Sequence, residues 1–145
     1  MKIVFFTFYY PPDLCAGSFR AIALSQALSN RMKGDDELHI ITTHPNRYAN
    51  HKVKADNVEI HGNVTVHRIS IPSHKSGMFS QARSFTTYAL ASYKLSNNLN
   101  PDFFIGTTSR LMTGLLTGVS ARKLGCNYFI DLRDIFSETI SDIFS

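Results

Sequence analysis

The chain has 145 residues, of which 43% are hydrophobic and 18% charged, with a formal net charge of +4. This composition is typical of one folded globular domain and argues against disorder. No apolar run approaches the roughly 20 residues of a membrane-spanning helix, and the N-terminus does not resemble a signal peptide, so we expect a cytoplasmic protein. Cys15 and Cys126 have no C-x-x-C spacing, which favours free buried thiols over a disulfide or a metal site.

The first predicted element is a buried strand over residues 2–10, because KIVFFTFYY is rich in β-branched and aromatic residues and is followed by Pro11-Pro12. Gly17 then resembles a hinge, and Ser18 the N-cap of a helix. The predicted stop of this helix is Gly34. Its predicted apolar stripe consists of Ala21, Leu24, Ala27 and Leu28.

Strands and helices alternate along the rest of the chain. The segments DELHIITTH and NVTVHRISI predict the second and third strands, with residues 44–63 containing one long loop. A helix closed by Pro101 follows, and DFFIGT predicts the fourth strand. The next helix is predicted to be capped by Ser109 and stopped by Gly125, before a fifth strand at CNYFIDL and a final helix near Ile135. The helix before Pro101 carries a stripe of Phe85, Tyr88, Ser92, Leu95 and Leu99.

This alternation predicts an α/β fold with a single Rossmann-like, doubly wound, mostly parallel sheet. Ligands of such sheets bind outside the carboxyl ends of the strands, where the strand order switches direction. Three loops are predicted to reach that edge, at residues 9–18, 107–109 and 131–134. The sequence therefore predicts a ligand crevice between them.

The first of these loops lacks the common nucleotide-binding motifs. It has neither the Gly-Lys-Ser/Thr of a P-loop nor G-x-G-x-x-G, and the second strand ends in Thr42-Thr43-His44 without a carboxylate for a ribose hydroxyl. A nicotinamide enzyme is therefore disfavoured. Gly17 at a helix start suits a single phosphate, which would face backbone N–H groups and the positive end of the helix dipole. The alternative is that Gly17 only lets the chain turn.

Positive charge is concentrated between His44 and Arg83, and five of the six histidines lie in the same window. This window is either a solvated loop region or a face attracted to phosphates or anionic lipid. We expect no nucleic-acid partner, because the sequence has no recognition motif and no basic-aromatic interleaving. The window also contains Arg68, and its candidate membrane-facing residues are Arg47, Lys52, Lys54, Lys75 and Arg83.

Four segments carry a resemblance to a known family: YYPPDLCAGSFRAIALSQAL, DELHIITTH, PDFFIGTTSRLMTGLLTGVSARKLG and YFIDLRDIFSE. Together they resemble the N-terminal, acceptor-side domain of family 4 retaining glycosyltransferases of the two-domain GT-B type, in particular bacterial enzymes of capsule, O-antigen and exopolysaccharide assembly. The resemblance implies transfer of a sugar from a nucleotide sugar to a lipid-linked or saccharide acceptor. It implies no cofactor, and the absence of D-x-D argues against a metal.

The resemblance also implies roles for particular residues. The backbone N–H groups of Ala16, Gly17 and Ser18 would lie over the donor diphosphate and the acceptor. Arg133-Asp134 stands where family members often place a His-Asp pair, so any role of Arg133 would be electrostatic, since a guanidinium is not a base. The candidate catalytic residues are Asp131, Arg133 and Asp134. Alternatively, Asp134 caps the last helix while Asp131 and Arg133 pair.

The loop Thr107-Thr108-Ser109 resembles the acceptor-side wall of the family, although Ser109 is equally explained as a helix cap. The family binds its nucleotide sugar with a second domain that carries E-x7-E, and Glu37, Glu59 and Glu138 lie too far apart for that motif. We therefore expect an isolated acceptor-side domain, inactive without the C-terminal domain and peripheral at the inner face of a bacterial membrane. The alternatives are half of a GT-B-fold sugar-nucleotide epimerase and a non-catalytic interaction domain.

Overall fold

The structure, a computed structural model, describes residues 1–45, 54–72, 78–108 and 111–132. These residues form six strands and three helices. In chain order they are β1 (Lys2–Phe6), α1 (Ala16–Ser29), β2 (Glu37–Thr43), β3 (Val58–His61), β4 (Val64–Ile69), α2 (Met78–Leu99), β5 (Phe103–Thr107), α3 (Leu111–Leu124) and β6 (Asn127–Asp131).

All six strands form one sheet in the order β3-β4-β2-β1-β5-β6. Only the pair of β3 and β4 is antiparallel, and the other four pairs are parallel. The prediction of an α/β fold with a mostly parallel sheet is therefore confirmed. Because the chain runs outward from β1 to β2 and β4, and then crosses over to β5 and β6, the strand order switches direction between β1 and β5.

Helices cover both faces of the sheet. On one face Ala21 of α1 packs with Ile3, Phe5 and Ile40. On the other face Tyr88 of α2 and Leu116 of α3 lie in the cluster that contains Phe6. Neighbouring strand residues thus point to opposite helical layers, which explains why β1 is apolar from Ile3 to Phe6 and why β2 is buried from Leu38 to Thr43.

Two strand predictions need correction. β1 ends at Phe6 rather than at Tyr10, because side-chain hydroxyls instead of a neighbouring strand take the next two carbonyls. Tyr88 donates to the backbone oxygen of Thr7, and Thr42 and Thr43 both donate to that of Phe8. The predicted loop between His44 and Asn63 contains β3, a four-residue edge strand that pairs with β4 across a turn.

The start and inner face of α1 also differ from the prediction. Its N-cap is Cys15, whose side chain makes no capping hydrogen bond, so the predicted cap Ser18 is the third residue of the helix. The buried side chains are Ser18, Ala21 and Ser25, whereas Ala27 is exposed. The helix ends at Ser29, and Gly34, with φ +57°, serves the following turn rather than the helix end.

The other helices agree with the prediction where the structure describes them. α2 ends at Leu99, Asn100 has φ +48° and Pro101 follows. α3 ends before Gly125, which has φ +67° and so favours glycine. The predicted cap Ser109 and the predicted final helix lie outside the described residues. Cys15 and Cys126 are free, and both are partly buried.

Candidate functional site

The carboxyl ends of β1, β5 and β6 meet on both sides of the switch in strand order. Thr107, the last residue of β5, donates its hydroxyl hydrogen to the hydroxyl oxygen of Thr7 across 3.3 Å. The backbone N–H of Thr108 donates to the carbonyl oxygen of Asp131, at 3.0 Å. These contacts join the ends of β1, β5 and β6 at one edge of the sheet, and two of the three predicted crevice walls, at residues 107–109 and 131–134, contact each other there.

The segment 7–15, which we call the β1–α1 loop, is anchored at its start by buried hydrogen bonds. The hydroxyl of Tyr88, which is fully buried, donates to the backbone oxygens of Thr7 at 3.2 Å and Ile41 at 2.8 Å. Burial raises the pKa of Tyr88, so this hydroxyl stays protonated and remains a donor. The anchors therefore fix the point at which the chain leaves the sheet.

Two further contacts hold the middle of the β1–α1 loop. The hydroxyls of Tyr10 and Ser25 lie 2.9 Å apart and tie the loop to α1; burial raises the pKa of Tyr10. The guanidinium of Arg68 donates to the carbonyl oxygen of Pro11 at 3.0 Å and to the carboxylate of Glu59 at 3.0 Å. The side chain of Arg68 is only 3% exposed. This buried cation therefore holds the β1–α1 loop through the carbonyl oxygen of Pro11.

The first turn of α1 borders the crevice and presents backbone donors. The first three residues of the helix are Ala16, Gly17 and Ser18, whose N–H groups have no intrahelical acceptor by helix geometry. The first turn contains no acidic residue, and Cys15 supplies no capping oxygen. The hydroxyl of Ser18 is buried and has no hydrogen-bond partner among the described residues. This helix end can therefore accept an anion.

An ion pair links α1 to the end of β6. One guanidinium nitrogen of Arg20 lies 2.6 Å from a carboxylate oxygen of Asp131, 111 residues later in the chain. The side chain of Arg20 is 55% exposed and that of Asp131 is 13% exposed. Sequence reasoning missed Arg20, because an arginine on the outer side of a helix start is usually solvated. Arg20 follows Gly17 by three residues, which is about one helical turn.

Thr107 and Thr108 are buried rather than exposed at the crevice surface. The hydroxyl of Thr108 donates to the carbonyl oxygen of Asp131 at 3.2 Å. Their hydroxyls therefore join the ends of β1, β5 and β6. In the acceptor-side wall predicted for this loop, these two side chains hold the strand ends together. Of the other predicted site residues, Ser109, Arg133 and Asp134 lie outside the described residues.

The basic window carries less surface charge than its composition indicated. Lys54 and Arg83 are exposed, but Arg68 is buried and paired with Glu59. Burial and the nearby ring of His39 lower the pKa of His67, so this histidine binds a proton less readily than a free imidazole. Arg47, Lys52 and Lys75 lie outside the described residues.

Comparison with known proteins leaves the family open: neither a scan against protein-family models nor a search of curated proteins gives a match. Within the described ranges, no group of three or more His, Cys, Asp or Glu side chains is arranged to hold a metal ion. Over the same residues, no helix is both long and apolar enough to cross a membrane.

Proposed function

We propose that the chain is the Rossmann-like, acceptor-side domain of a GT-B-type glycosyltransferase. In this proposal the enzyme moves a sugar from a nucleotide sugar to a lipid-linked or saccharide acceptor, and a second domain binds the nucleotide. The crevice of this chain holds a phosphate group of the donor or the acceptor against the first turn of α1.

The observation that carries the proposal is the meeting of the uncapped N-terminus of α1 with the Arg20–Asp131 ion pair. Helix N–H groups and a guanidinium are both donors that favour phosphate oxygens. Asp131 holds the guanidinium of Arg20 at the carboxyl end of β6, next to β5 and the strand switch where α/β sheets bind ligands. The order β4-β2-β1-β5-β6 of the parallel strands further supports a Rossmann-like domain.

Asp131 has a positioning role in this proposal. Its carboxylate is engaged by Arg20, and its backbone oxygen accepts hydrogen bonds from the N–H and the hydroxyl of Thr108. Because both its main chain and its side chain are held, Asp131 is suited to orienting Arg20 in the anion site rather than to moving toward a substrate.

The test is a titration with inorganic pyrophosphate and with a nucleoside diphosphate, followed by backbone amide NMR. We expect the largest chemical-shift changes at the amides of Ala16, Gly17 and Ser18. Gly17→Val should weaken binding, because a β-branched side chain projects beside the amides that face the anion. Arg20→Met should weaken it further, since it removes the nearby cation.

Matched controls separate the site from the fold. Gly118→Val also changes a helical glycine, on α3, where an added Cβ would meet only Tyr128 at 4.0 Å. Arg31→Met removes an arginine that follows α1 and donates to the backbone oxygen of Ala27. Both controls should bind like the parent chain. Unchanged amide shifts at Ala16–Ser18 on addition of either anion would contradict the proposal.

The anionic surface of a membrane is the proposed location of the acceptor. Lys54 precedes β3 and Arg83 lies in α2, so both belong to the end of the sheet at which β4 finishes. Phe79 in the first turn of α2 is 90% exposed. Basic side chains beside an exposed aromatic ring are typical of shallow, reversible contact with lipid headgroups.

A further inference from the structure

The edge of the sheet formed by β6, together with α3, is an exposed apolar surface, which we call the α3–β6 face. A groove of about 850 Å³ runs between the two elements and is lined mainly by aliphatic side chains. Leu111, Leu115 and Val119 of α3, four residues apart, are 63%, 58% and 51% exposed. Exposed apolar surface of this extent usually marks an interaction site.

β6 itself has the composition of an interior strand. Among the described residues it pairs only with β5, and no other strand of that part of the chain lies along its outer edge. Tyr128 lines the groove under α3 and is 51% exposed, while Phe129 is 55% exposed; strand alternation turns Phe129 to the opposite face. A strand that is apolar on both faces is typical of the middle of a sheet, and open edges normally carry charge or proline.

The sequence of this edge is complementary to itself. If two copies of NYFID run antiparallel with Phe129 at the centre, Tyr128 lies opposite Ile130 and Asn127 lies opposite Asp131. Apolar side chains then lie opposite apolar side chains. Asp131, the only charged residue of the strand, lies opposite the amide of Asn127 and not opposite the second Asp131. Directly opposed like charges, which would oppose pairing, are absent from this register.

We propose that two copies of the chain associate through their α3–β6 faces, with the β6 strands paired antiparallel about a two-fold axis at Phe129. Residues that lie opposite each other in an antiparallel pair share a face of the sheet. The two α3 helices therefore lie on the same face of a continuous twelve-stranded sheet. Their exposed leucines cover the grooves on both sides of the axis.

The exposed area is sufficient for such a dimer. The large apolar side chains of this face are about half exposed or more, and each contributes roughly 100 Å². Their sum is roughly 700 Å² per copy, close to the about 800 Å² per partner of standard specific interfaces. The seven side chains are Leu111, Met112, Leu115, Val119, Tyr128, Phe129 and Leu132.

Sedimentation velocity of the full chain tests the association. We expect a species of twice the 16.3 kDa chain mass. Phe129→Glu should convert it to a monomer, because it places two carboxylates directly opposite each other at the axis. Ile60→Glu, at a 72% exposed residue of β3, the strand at the opposite edge of the sheet, is the matched control and should remain dimeric.

A cross-link tests the axis independently of folding effects. In a background with Cys15 and Cys126 changed to serine, Phe129→Cys should form a disulfide-linked dimer under mild oxidation, since opposed residues of an antiparallel pair lie within disulfide reach. Ile60→Cys, on the opposite edge strand β3, should not. A parent chain that sediments as a monomer would overturn the proposal, as would a Phe129→Cys variant that cross-links no faster than Ile60→Cys.

Discussion

The ion pair between Arg68 and Glu59, next to the β1–α1 loop, leads to a prediction about which of the two residues can be replaced at the smaller cost in stability. A guanidinium nitrogen of Arg68 lies 3.0 Å from a carboxylate oxygen of Glu59, and the side chains are 3% and 26% exposed. At an effective dielectric constant of about 20 the attraction at this distance is about 5–6 kcal/mol. The cost of removing either charge depends on how well water can solvate the charge that remains.

Glu59→Met leaves a buried cation whose remaining acceptor among the described residues is the carbonyl of Pro11. Two guanidinium nitrogens of Arg68, Nε and Nη1, already have no partner there. We expect this variant to lose about 3–5 kcal/mol of unfolding free energy, the usual range for an uncompensated buried charge. Arg68→Met leaves a carboxylate that reaches water and removes the two unpaired donors, so its expected loss is only about 1–2 kcal/mol.

Urea unfolding followed by far-UV circular dichroism measures both losses, since the chain has no tryptophan. The double variant Glu59→Met/Arg68→Met serves as the control and should be more stable than Glu59→Met alone, because no buried charge remains. If Glu59→Met is too unstable to study, Glu59→Gln gives the same comparison. A loss for Arg68→Met equal to or larger than that for Glu59→Met would refute the reasoning.

Three further predictions concern separate parts of the molecule. The pKa of His67 is lowered in the folded chain, so the unfolded chain binds more protons between pH 6.5 and the folded pKa. Stability therefore falls as pH drops through 6.5 toward the folded pKa. Over this pH range His67→Gln should show a smaller loss of the urea midpoint than the parent chain. Gly106→Ala should cost about 1–3 kcal/mol in the same assay, because its Cβ would lie 2.0 Å from the hydroxyl of Thr117, and Thr117→Ala should recover part of that loss. The double change Lys54→Gln/Arg83→Gln should lower co-sedimentation with anionic vesicles, at about 1 kcal/mol per charge, and equal binding of the parent to neutral vesicles would contradict a membrane role.

The pure chain should also transfer no sugar from a nucleotide sugar, because in the proposed function the donor is bound by a second domain. A radiolabelled transfer assay measures this, with protein purified from a strain that lacks background transferases as the control. Measurable turnover would exclude the proposal that a second domain is needed to bind the donor.

The elements that sequence predicted correctly are those with a long, uniform pattern. β2 is buried from Leu38 to Thr43 and β5 begins with the apolar run FFI, while α2 keeps an inner stripe that includes Phe85, Tyr88 and Leu95. β3 was missed because VEIH is four residues long, mostly exposed and stabilised by pairing with β4 rather than by its own composition. The inner face of α1 was shifted because small polar residues, Ser18 and Ser25, occupy the positions closest to the sheet.

The site was harder to predict because its contacts join distant residues. Nothing in the neighbourhood of Arg20 indicates a partner 111 residues away. The burial of Arg68, by contrast, had a detectable pattern: it alternates with Val66 in β4 and so shares its buried face. Strand alternation therefore identifies a buried cation that charge counting assigns to the surface.

The central position of β1 has a consequence for synthesis on the ribosome. Ile3 pairs with Leu38 on one side and with Phe103 on the other, so one edge of the most buried strand has no partner until 100 more residues have been translated. At about 5–20 residues per second this interval is about 5–20 s. During that time β1 exposes an apolar edge that other nascent chains can join, so yield during expression should depend on chaperones that shield early intermediates.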